Sequence, residues 1–318
     1  MLEKHYNKIA VITDKTVGKL YALLLVKRLC ADKICVYTMP AGERGKSLKT
    51  YGEILQFLAA NGFDRQDLIV ALGGGVVGDT AGFAAATYMR GIAYVQVPTT
   101  LLAMADSGIG GKTAINICLK ASAGTEYGKN VIKNLAGCFW QPVSTVIDVN
   151  YLKTLPRREL KNGLAEIIKC GCIADKQLFD YIAASSFAAL DYQKIIDAAL
   201  AVKRALVQAD ERDLGARRLL NFGHTFGHAI EAHSNFAVPH GAAVAIGMVL
   251  ETKYAESLGL AERGTADKIA AALKRYGIKT HYNLSAEELL SLAKNDKKRH
   301  GGKPVLALVK SIGNAFIY

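Results

Sequence analysis

Four of the seven histidines in this sequence lie within residues 224–240, and three of them, His224, His228 and His240, form a candidate site. His224 and His228 are one helical turn apart, so their imidazoles share a face if this segment is a helix. His240 follows in a Pro-His-Gly turn that would open the next helix. Imidazoles with a carboxylate nearby suit zinc, cobalt or iron, and they also suit acid–base chemistry. The cluster therefore predicts a metal or acid–base site, and the absence of the H-E-x-x-H pattern argues against a peptidase.

A second pair of reactive side chains lies on a largely apolar segment. Glu166 and Lys169 are three residues apart, which places both on one face of a helix. A carboxylate and an ammonium group among leucines and isoleucines need charged partners or a metal. The alternative that this segment leaves open is a simple ion pair at the protein surface.

A glycine run, GGGVVGD over residues 73–79, directly follows an apolar β-branched stretch. Glycines at a strand-to-helix turn let backbone N–H groups approach a pyrophosphate, whose charge the next helix N-terminus favours. The run therefore indicates nucleotide binding, although it lacks the G-x-G-x-x-G spacing of the usual dinucleotide motif. A tight turn that needs only glycine backbone freedom is the alternative.

Residues 98–113 gather hydroxyl groups, an acid, glycines and a lysine behind another apolar stretch. Thr99, Thr100, Asp106 and Lys112 are the side chains that would meet a ligand in such a loop. The segment ends in GGKT, but the G-x-x-x-x-G-K spacing of a P-loop is not met, because Asp106 stands five residues before Gly111.

The hydrophobic pattern changes character near the middle of the chain. Up to about residue 148, buried-strand patterns alternate with helical ones; the strands are predicted at 8–13, 33–38, 67–72, 93–98 and 144–149. Beyond Leu155 helices are predicted at 157–174, 192–210, 219–233, 240–258, 263–276 and 285–294, and a last strand at 305–309. The sequence therefore predicts an α/β Rossmann-like domain over residues 1–150 and a mainly α-helical domain over residues 151–318.

Composition limits the class of protein. With 318 residues, 51% of them hydrophobic and 21% charged, the chain can bury a real core and is not a disordered protein. No apolar run has the length of a membrane span, and the N-terminal residues lack the apolar core of a signal peptide. The six cysteines show no zinc spacing, so we expect reduced thiols and a cytoplasmic enzyme without membrane partners.

The net charge of +12 favours anionic partners. The only dense basic run, 297–300, comes without an RNA-binding aromatic pattern or a Cys/His finger, so we expect no nucleic-acid partner. The anionic partners that remain are small phosphorylated or carboxylated molecules. The alternative is that the basic residues only form a solvated surface and bind no specific partner.

Taken in order, the motifs resemble those of the 3-dehydroquinate synthase family of sugar-phosphate cyclases. The likeness runs from about residue 9 to the C-terminus. The matching segments are Pro40-Ala-Gly-Glu43-x-x-Lys46, GGGVVGD (73–79), Tyr88-x-Arg90-Gly91, PTTLLA (98–103), GGKTAIN (110–116), LPRRE (155–159), GLAEIIK (163–169), LNFGHTFGHAIE (220–231), HGAAVAIGM (240–248) and Asp296-Lys297-Lys298.

The resemblance implies a reaction and its cofactors. Members of the family convert 3-deoxy-D-arabino-heptulosonate 7-phosphate, a phosphorylated and carboxylated sugar, into 3-dehydroquinate and phosphate in the shikimate pathway. They use NAD and a divalent metal, zinc or cobalt. The metal ligands implied here are Glu166, His224 and His240. The implied NAD contacts are Glu43, Lys46, Gly75, Val76, Val77, Gly78, Asp79, Thr99, Thr100, Lys112, Lys133, Tyr151, Leu152, Lys153 and Thr154.

The resemblance also implies substrate and catalytic residues. They are Asp106, Lys112, Lys133, Asn134, Lys169, Lys203, Arg217, Asn221, His228 and Lys297. Arg90 matches an arginine that the family lends to the neighbouring subunit, which implies a homodimer.

One family motif, Gly-Lys-Asn-x-x-Gly-x-Phe, has two candidates. Lys129 and Asn130 keep the preceding glycine, whereas Lys133 and Asn134 keep the spacing to Gly137 and everything after it. We choose the second pair, since the downstream residues fix where the ammonium group points. Residues 117–132 then form an insertion.

Two other functions share these motifs in part. Sister cyclases, such as those that make 2-deoxy-scyllo-inosose or valiolone skeletons, share NAD, metal and fold. Metal alcohol dehydrogenases similar to glycerol dehydrogenase share the two-domain plan but release reduced cofactor. The cationic residues Lys203 and Arg217, with Asn221, favour a carboxylated substrate over both alternatives.

Overall fold

The computed structural model describes residues 5–119, 131–234, 237–298 and 305–318. The chain forms two compact units, Met1–Leu155 and Pro156–Tyr318. Each unit is described by itself below.

The first unit is built on a parallel β-sheet. Its strands are β1 (Tyr6–Asp14), β2 (Ala31–Met39), β3 (Leu68–Gly73), β4 (Ala93–Pro98), β5 (Lys112–Cys118), β6 (Val131–Phe139) and β7 (Ser144–Thr145). Five of them make the sheet in the order β2-β1-β3-β4-β7, with every neighbouring pair parallel. Every residue of β3 is buried, which explains the apolar run that predicted a strand covered on both faces.

Helices cover both faces of this sheet. They are α1 (Lys15–Val17), α2 (Leu23–Val26), α3 (Leu48–Ala60) and α4 (Gly75–Thr87), and a π-helical turn, Gly18–Ala22, joins the first two. Ile69 and Ala71 of β3 belong to the core cluster formed with α3 and α4, whereas Val70 belongs to the cluster that includes Leu25 of α2. The predicted α/β Rossmann-like class is confirmed, since successive β3 side chains supply two separate cores.

An antiparallel hairpin of β5 and β6 was missed by the sequence analysis. Lys112 pairs with Phe139 and Cys118 with Val131, with a bulge near Ile115. The sequence pattern instead indicates a ligand loop and an insertion over much of this segment, because glycines and polar residues break its period-2 alternation. The hairpin arms include all three residues predicted as catalytic or cofactor-binding in this range, Lys112, Lys133 and Asn134. Residues 120–130, with Lys129 and Asn130, lie outside the described part of the chain.

The second unit is mainly helical, as predicted. Its elements are α5 (Arg157–Ala174), α6 (Lys176–Ala184), α7 (Tyr192–Ala209), α8 (His224–His233), α9 (His240–Ser257), α10 (Thr265–Arg275), α11 (Ala286–Lys298), β8 (Ala307–Ser311) and β9 (Asn314–Ile317). The starts of α5, α7 and α9 are those predicted. Within the described residues, no helix combines the length and the apolar character that crossing a bilayer requires.

Two predicted elements differ in the structure. The strand expected at 144–149 is reduced to Ser144 and Thr145, which pair with β4, and the chain then turns into a 3₁₀ segment, Val149–Thr154. The helix expected at 219–233 is broken: a 3₁₀ segment, Ala216–Asn221, precedes α8, and Gly223 between them has φ 79°. A left-handed residue cannot continue a right-handed helix, so the break fixes where α8 begins.

Glycines bring α8 and α9 into close contact. A Cβ at Gly247 of α9 would overlap the carbonyl oxygen of Gly223 and lie 2.9 Å from the backbone nitrogen of Gly227. Phe226 and Ile230 of α8 pack with Ile246 of α9 in the core of this unit. The two helices therefore approach each other backbone to backbone, which leaves little room to slide.

Replacing Gly247 by alanine is expected to lower the free energy of unfolding by about 1–3 kcal/mol, because the added methyl group must push two backbones apart. The matched control is Gly52→Ala in α3, where a Cβ would have no atom within 4 Å. There we expect a gain of about 0.5–1 kcal/mol. Urea unfolding of both variants gives the comparison, and an unchanged midpoint for Gly247→Ala would contradict this account of the contact.

Candidate functional site

Glu166 and Lys169 lie on the buried face of α5. Their side chains are each 2% exposed, and Lys169 Nζ lies 2.5 Å from Glu166 Oε2. The segment Gly163–Ile173 is buried throughout, so the alternative of an ion pair at the surface is wrong. Removing two charges from water costs free energy that one mutual contact rarely recovers. A buried pair of this kind therefore indicates a site with a chemical role.

Two imidazoles face the same carboxylate. Nε2 of His224, at the start of α8, lies 3.5 Å from Glu166 Oε1, and Nε2 of His240, at the start of α9, lies 3.3 Å from it. The three residues offer donor atoms that all lie within 4.8 Å of one another. The structure thus brings together, from three helices, the residues predicted as a metal-ligand set.

The hydrogen bond of His224 sets the orientation of its lone pair. Nδ1 lies 3.2 Å from the carbonyl oxygen of Phe222, which can only accept, so Nδ1 carries the proton. Burial, helped by Lys169, lowers the pKa of His224 to about 3, so the ring is neutral. Its Nε2 lone pair then points at the carboxylate of Glu166. Two electron-pair donors that face each other in a buried site fit a cation between them.

His240 is oriented by a second acid. Its Nδ1 lies 3.2 Å from Oε2 of Glu231, which leaves Nε2 directed toward Glu166. Burial alone would lower the pKa of His240, but Glu166 and Glu231 raise it to about 10. Burial likewise opposes ionisation of Glu166, yet Lys169 and the two imidazoles hold the pKa of that carboxyl well below its usual value.

Glu231 was not among the predicted site residues. A carboxylate on the far nitrogen of a metal-binding imidazole fixes its tautomer and strengthens it as a ligand. The sequence could have identified Glu231 as a site residue, since His224, His228 and Glu231 follow the i, i+4, i+7 spacing of one helix face.

A second set of possible donors, His228, Glu231 and His240, overlaps the first. The rings of His228 and His240 are 6.1 Å apart between centroids, but His228 is exposed. Because Nδ1 of His240 is already bound to Glu231, the Glu166 set has the better geometry for a metal. His228 then stands at the rim of the cluster, with its imidazole open to solvent.

The remaining predicted residues of the second unit have varied surroundings. Lys203 on α7 and Arg217 are buried, at 5% and 2% exposure. Nη1 of Arg217 donates to the carbonyl oxygen of Glu211 at 2.6 Å, which orients the guanidinium. Asn221 is half-buried at the end of the 3₁₀ segment. The backbone of Lys297 belongs to α11, and its side chain lies outside the description.

A polar network in the first unit connects five side chains. Lys46 is buried, and its ammonium group contacts Asp79 and donates to Asn134 Oδ1 at 2.5 Å. Asn116 donates from Nδ2 to Glu43 Oε1 at 2.7 Å and accepts from the backbone of Asn134 at 2.9 Å. Four of these residues were predicted and Asn116 was not, although it ends the GGKTAIN motif. The hairpin places the predicted Asn134 beside the predicted Lys46.

The glycine run opens a helix rather than a loop. Gly75 is the first residue of α4, so residues 75–79, described above as part of a strand-to-helix turn, already belong to the helix. A Cβ at Gly75 would lie 2.8 Å from Oγ of Ser107. The hydroxyls of Thr99 and Ser107 are buried and have no hydrogen-bond partner among the described residues. The start of α4 therefore lies beside polar groups that a ligand can satisfy.

The other predicted residues of the first unit lie in turns and in the hairpin. Thr100 Oγ1 accepts from the backbone of Ala103 at 3.1 Å, and Asp106 is half-buried in the π-helical turn Ala103–Ser107. Lys112 is exposed, Lys133 is half-buried, and Arg90 is exposed in the turn after α4. The segment Tyr151, Leu152, Lys153 and Thr154 forms a 3₁₀ turn, in which Thr154 Oγ1 pairs with the hydroxyl of Tyr21 at 2.5 Å.

Comparison with known families gives two successive matches. The family model described as 3-dehydroquinate synthase N-terminal matches residues 36–162, and the model described as 3-dehydroquinate synthase C-terminal matches residues 163–299. A curated 3-dehydroquinate synthase from Enterococcus faecalis is 42% identical over 318 residues, which cover 98% of this chain and 86% of the relative.

Two solved structures share the architecture at lower identity. A 2-epi-5-epi-valiolone synthase from Streptomyces hygroscopicus subsp. jinggangensis, with NAD+ and Zn2+ bound, gives a TM-score of 0.85 at 28% identity over 98% of this chain and 87% of that one. A 2-deoxy-scyllo-inosose synthase complexed with carbaglucose-6-phosphate, NAD+ and Co2+ gives 0.82 at 25% identity over 98% and 85%.

The cluster on α5, α8 and α9 predicts that the purified chain binds one divalent cation. Replacing Glu166 by glutamine removes the negative charge of the set, and replacing His240 by alanine removes a donor. Both variants are expected to lose the cation after dialysis, as measured by elemental analysis. His281→Ala is the matched control, because this histidine is exposed and belongs to neither donor set. Stoichiometric metal in the His240→Ala variant would show that the donor set is assigned wrongly.

Proposed function

This chain belongs to the 3-dehydroquinate synthase family, and on that premise we propose how its residues convert 3-deoxy-D-arabino-heptulosonate 7-phosphate into 3-dehydroquinate and phosphate. The observation that carries the proposal is the buried cluster in which Glu166 meets two imidazoles and an ammonium group. It joins a metal-ligand set to a proton-carrying side chain in one place, as the oxidation of a hydroxyl group requires.

Glu166, His224 and His240 would hold the divalent metal, zinc or cobalt. The donor set fits, because one carboxylate and two imidazoles leave positions open for substrate oxygens. A metal bound there supplies Lewis-acid polarisation of a substrate hydroxyl. Lys169 lies next to Glu166 beside that set, and we assign to it the hydroxyl proton, which its neutral amine would accept on oxidation and its ammonium form would return on reduction. Glu231 keeps His240 in the tautomer that presents Nε2.

The first unit would bind NAD. The start of α4, from Gly75 to Asp79, offers backbone N–H groups and a helix N-terminus to the pyrophosphate. The unsatisfied hydroxyl of Thr99 and the carboxylate of Glu43, which Asn116 holds in place, suit the hydroxyl groups of a nucleotide. Bound NAD supplies a hydride acceptor that also returns the hydride, so the overall reaction is redox-neutral. The remaining cofactor contacts proposed are Lys46, Thr100, Lys112, Lys133 and the turn 151–154.

Cationic and amide groups of the second unit would bind the anionic substrate. Lys203 and Arg217 are buried cations, and side chains of this kind bind carboxylate and phosphate groups through charge-assisted hydrogen bonds. With Asn221 they form a set that suits a carboxylate better than the uncharged polyol of a glycerol-type dehydrogenase. His228 and Lys297 in this unit, and Asp106, Lys112, Lys133 and Asn134 in the first, complete the proposed catalytic residues.

We propose a homodimer that acts in the cytoplasm. Arg90 is exposed in a turn with φ 66°, where a second subunit can meet it, and the family resemblance assigns it to the neighbouring active site. All six cysteines are free thiols, which suits a reducing compartment.

Turnover in the presence of NAD distinguishes the synthase from a dehydrogenase of the same architecture. Incubation with 3-deoxy-D-arabino-heptulosonate 7-phosphate is expected to release one phosphate per substrate with no growth of NADH absorbance, because the hydride returns to the product. A chelator should stop phosphate release, and added zinc should restore it. NADH that accumulates in proportion to consumed substrate would overturn the synthase assignment and favour the dehydrogenase.

Alanine at Lys133 is expected to lower kcat/KM by roughly ten- to a hundredfold, since a charge-assisted contact to an anion contributes about 1.5–3 kcal/mol. Lys129→Ala is the matched control, because it removes the same charge four residues earlier and should change the rate less than about twofold. Equal and mild losses in both variants would show that the Lys133–Asn134 alignment is wrong.

A further inference from the structure

Glu251 is a completely buried acid in the middle of α9, outside the donor sets described above. Its side chain is 0% exposed. Oε2 accepts a hydrogen bond from the backbone nitrogen of Gly223 at 2.7 Å, and Oε1 accepts one from the backbone nitrogen of Phe226 at 3.0 Å. Both oxygens of the carboxylate are therefore directed at the first turn of α8.

The first turn of α8 needs such a partner. The initial N–H groups of a helix have no acceptor within the helix, and a side chain at the N-cap usually supplies one. Here the N-cap is Gly223, which has no side chain. Glu251 supplies the acceptors from the neighbouring helix, and its negative charge is favoured at the positive end of the helix dipole.

The two bonded amides lie on either side of His224. Gly223 directly precedes this ligand and Phe226 follows it by two residues, so the backbone that carries the imidazole is held at both ends. One turn earlier on α9, Gly247 contacts the same Gly223 backbone. His240, the other imidazole ligand, opens α9 itself. Glu251 thus ties the helix that carries one ligand to the helix that carries the other.

We propose that Glu251 is a positioning residue of the metal centre. It fixes the start of α8 relative to α9, and this places Nε2 of His224 within 3.5 Å of the Glu166 carboxylate. The inference rests on the metal site proposed above and adds to it a residue that touches neither metal nor substrate. A displacement of α8 along α9 would separate the two imidazoles, since each is anchored at the first residue of its own helix.

Glutamine at position 251 tests the proposal. An amide retains one acceptor but places an NH2 group against the second backbone N–H, so one of the two bonds is lost. The matched control is Glu256→Gln, on the same helix: Glu256 Oε1 accepts from the backbone of Ala266 at 2.8 Å and caps α10, which carries none of the proposed ligands. Both variants lose one carboxylate that caps a helix.

The measurement is the Zn2+ dissociation constant of the full-length chain, by competition with a chromogenic chelator, together with urea unfolding of the metal-free protein. Glu251→Gln is expected to weaken Zn2+ binding by about ten- to a hundredfold. Glu256→Gln is expected to lose stability while its dissociation constant stays within about twofold of the wild type.

The outcomes separate this inference from the proposed function. If the wild type binds no Zn2+, the proposed metal site is wrong and this inference falls with it. If the wild type binds Zn2+ and Glu251→Gln binds it equally well, the metal site stands and this inference is overturned. Should Glu251→Gln fail to fold, Glu251→Asp keeps the charge on a shorter side chain, and wild-type affinity in that variant would overturn the inference as well.

Discussion

The second unit is organised around one buried negative charge. The carboxylate of Glu166 is removed from water on α5, and its free energy depends on the ammonium group and the two imidazoles that surround it. Lys169 comes from the same helix, whereas the imidazoles of His224 and His240 come from the starts of two others. Helices that must deliver side chains to one oxygen atom have little freedom in their mutual placement. The glycine contact between α8 and α9 and the buried cap from Glu251 follow from that constraint.

The first unit has a counterpart in a buried positive charge. Lys46 contacts Asp79 of α4 and donates a hydrogen bond to Asn134 of the β5–β6 hairpin. The network therefore links a helix that opens at the carboxyl end of β3 to a hairpin that lies outside the parallel sheet. In an open α/β sheet, ligands bind at the carboxyl ends of the strands, which is where α4 begins. A rigid polar network there keeps the proposed nucleotide contacts in place before a ligand arrives.

Elements with a strong hydrophobic periodicity could be predicted from the sequence. Elements in which the backbone departs from that periodicity could not. Strands β1 to β4 and helices α5, α7 and α9 were predicted because their apolar spacing is uniform. The β5–β6 hairpin was missed because glycines and polar residues interrupt its alternation, and the break before α8 was missed because one glycine inside an apolar helical pattern carries little signal. Glu166, His224 and His240 were identifiable from residue type and family spacing. Glu231 shares a helix face with His224 and His228, so its spacing was available in the sequence, although its bond to His240 was not. Glu251 accepts from backbone groups 25 and 28 residues away, and only the structure brings such partners together.

The ion pair within α5 also bears on how the protein matures. Because Lys169 already neutralises Glu166 from three residues away, burying the carboxylate does not require a metal to be present during synthesis. We therefore expect the chain to complete its fold before the ion binds and to be loaded later, when supply recovers. Depletion of the metal would then leave folded but inactive enzyme rather than unfolded chains that proteases degrade. On this expectation, a local ammonium group would make the lifetime of the protein independent of the supply of its metal.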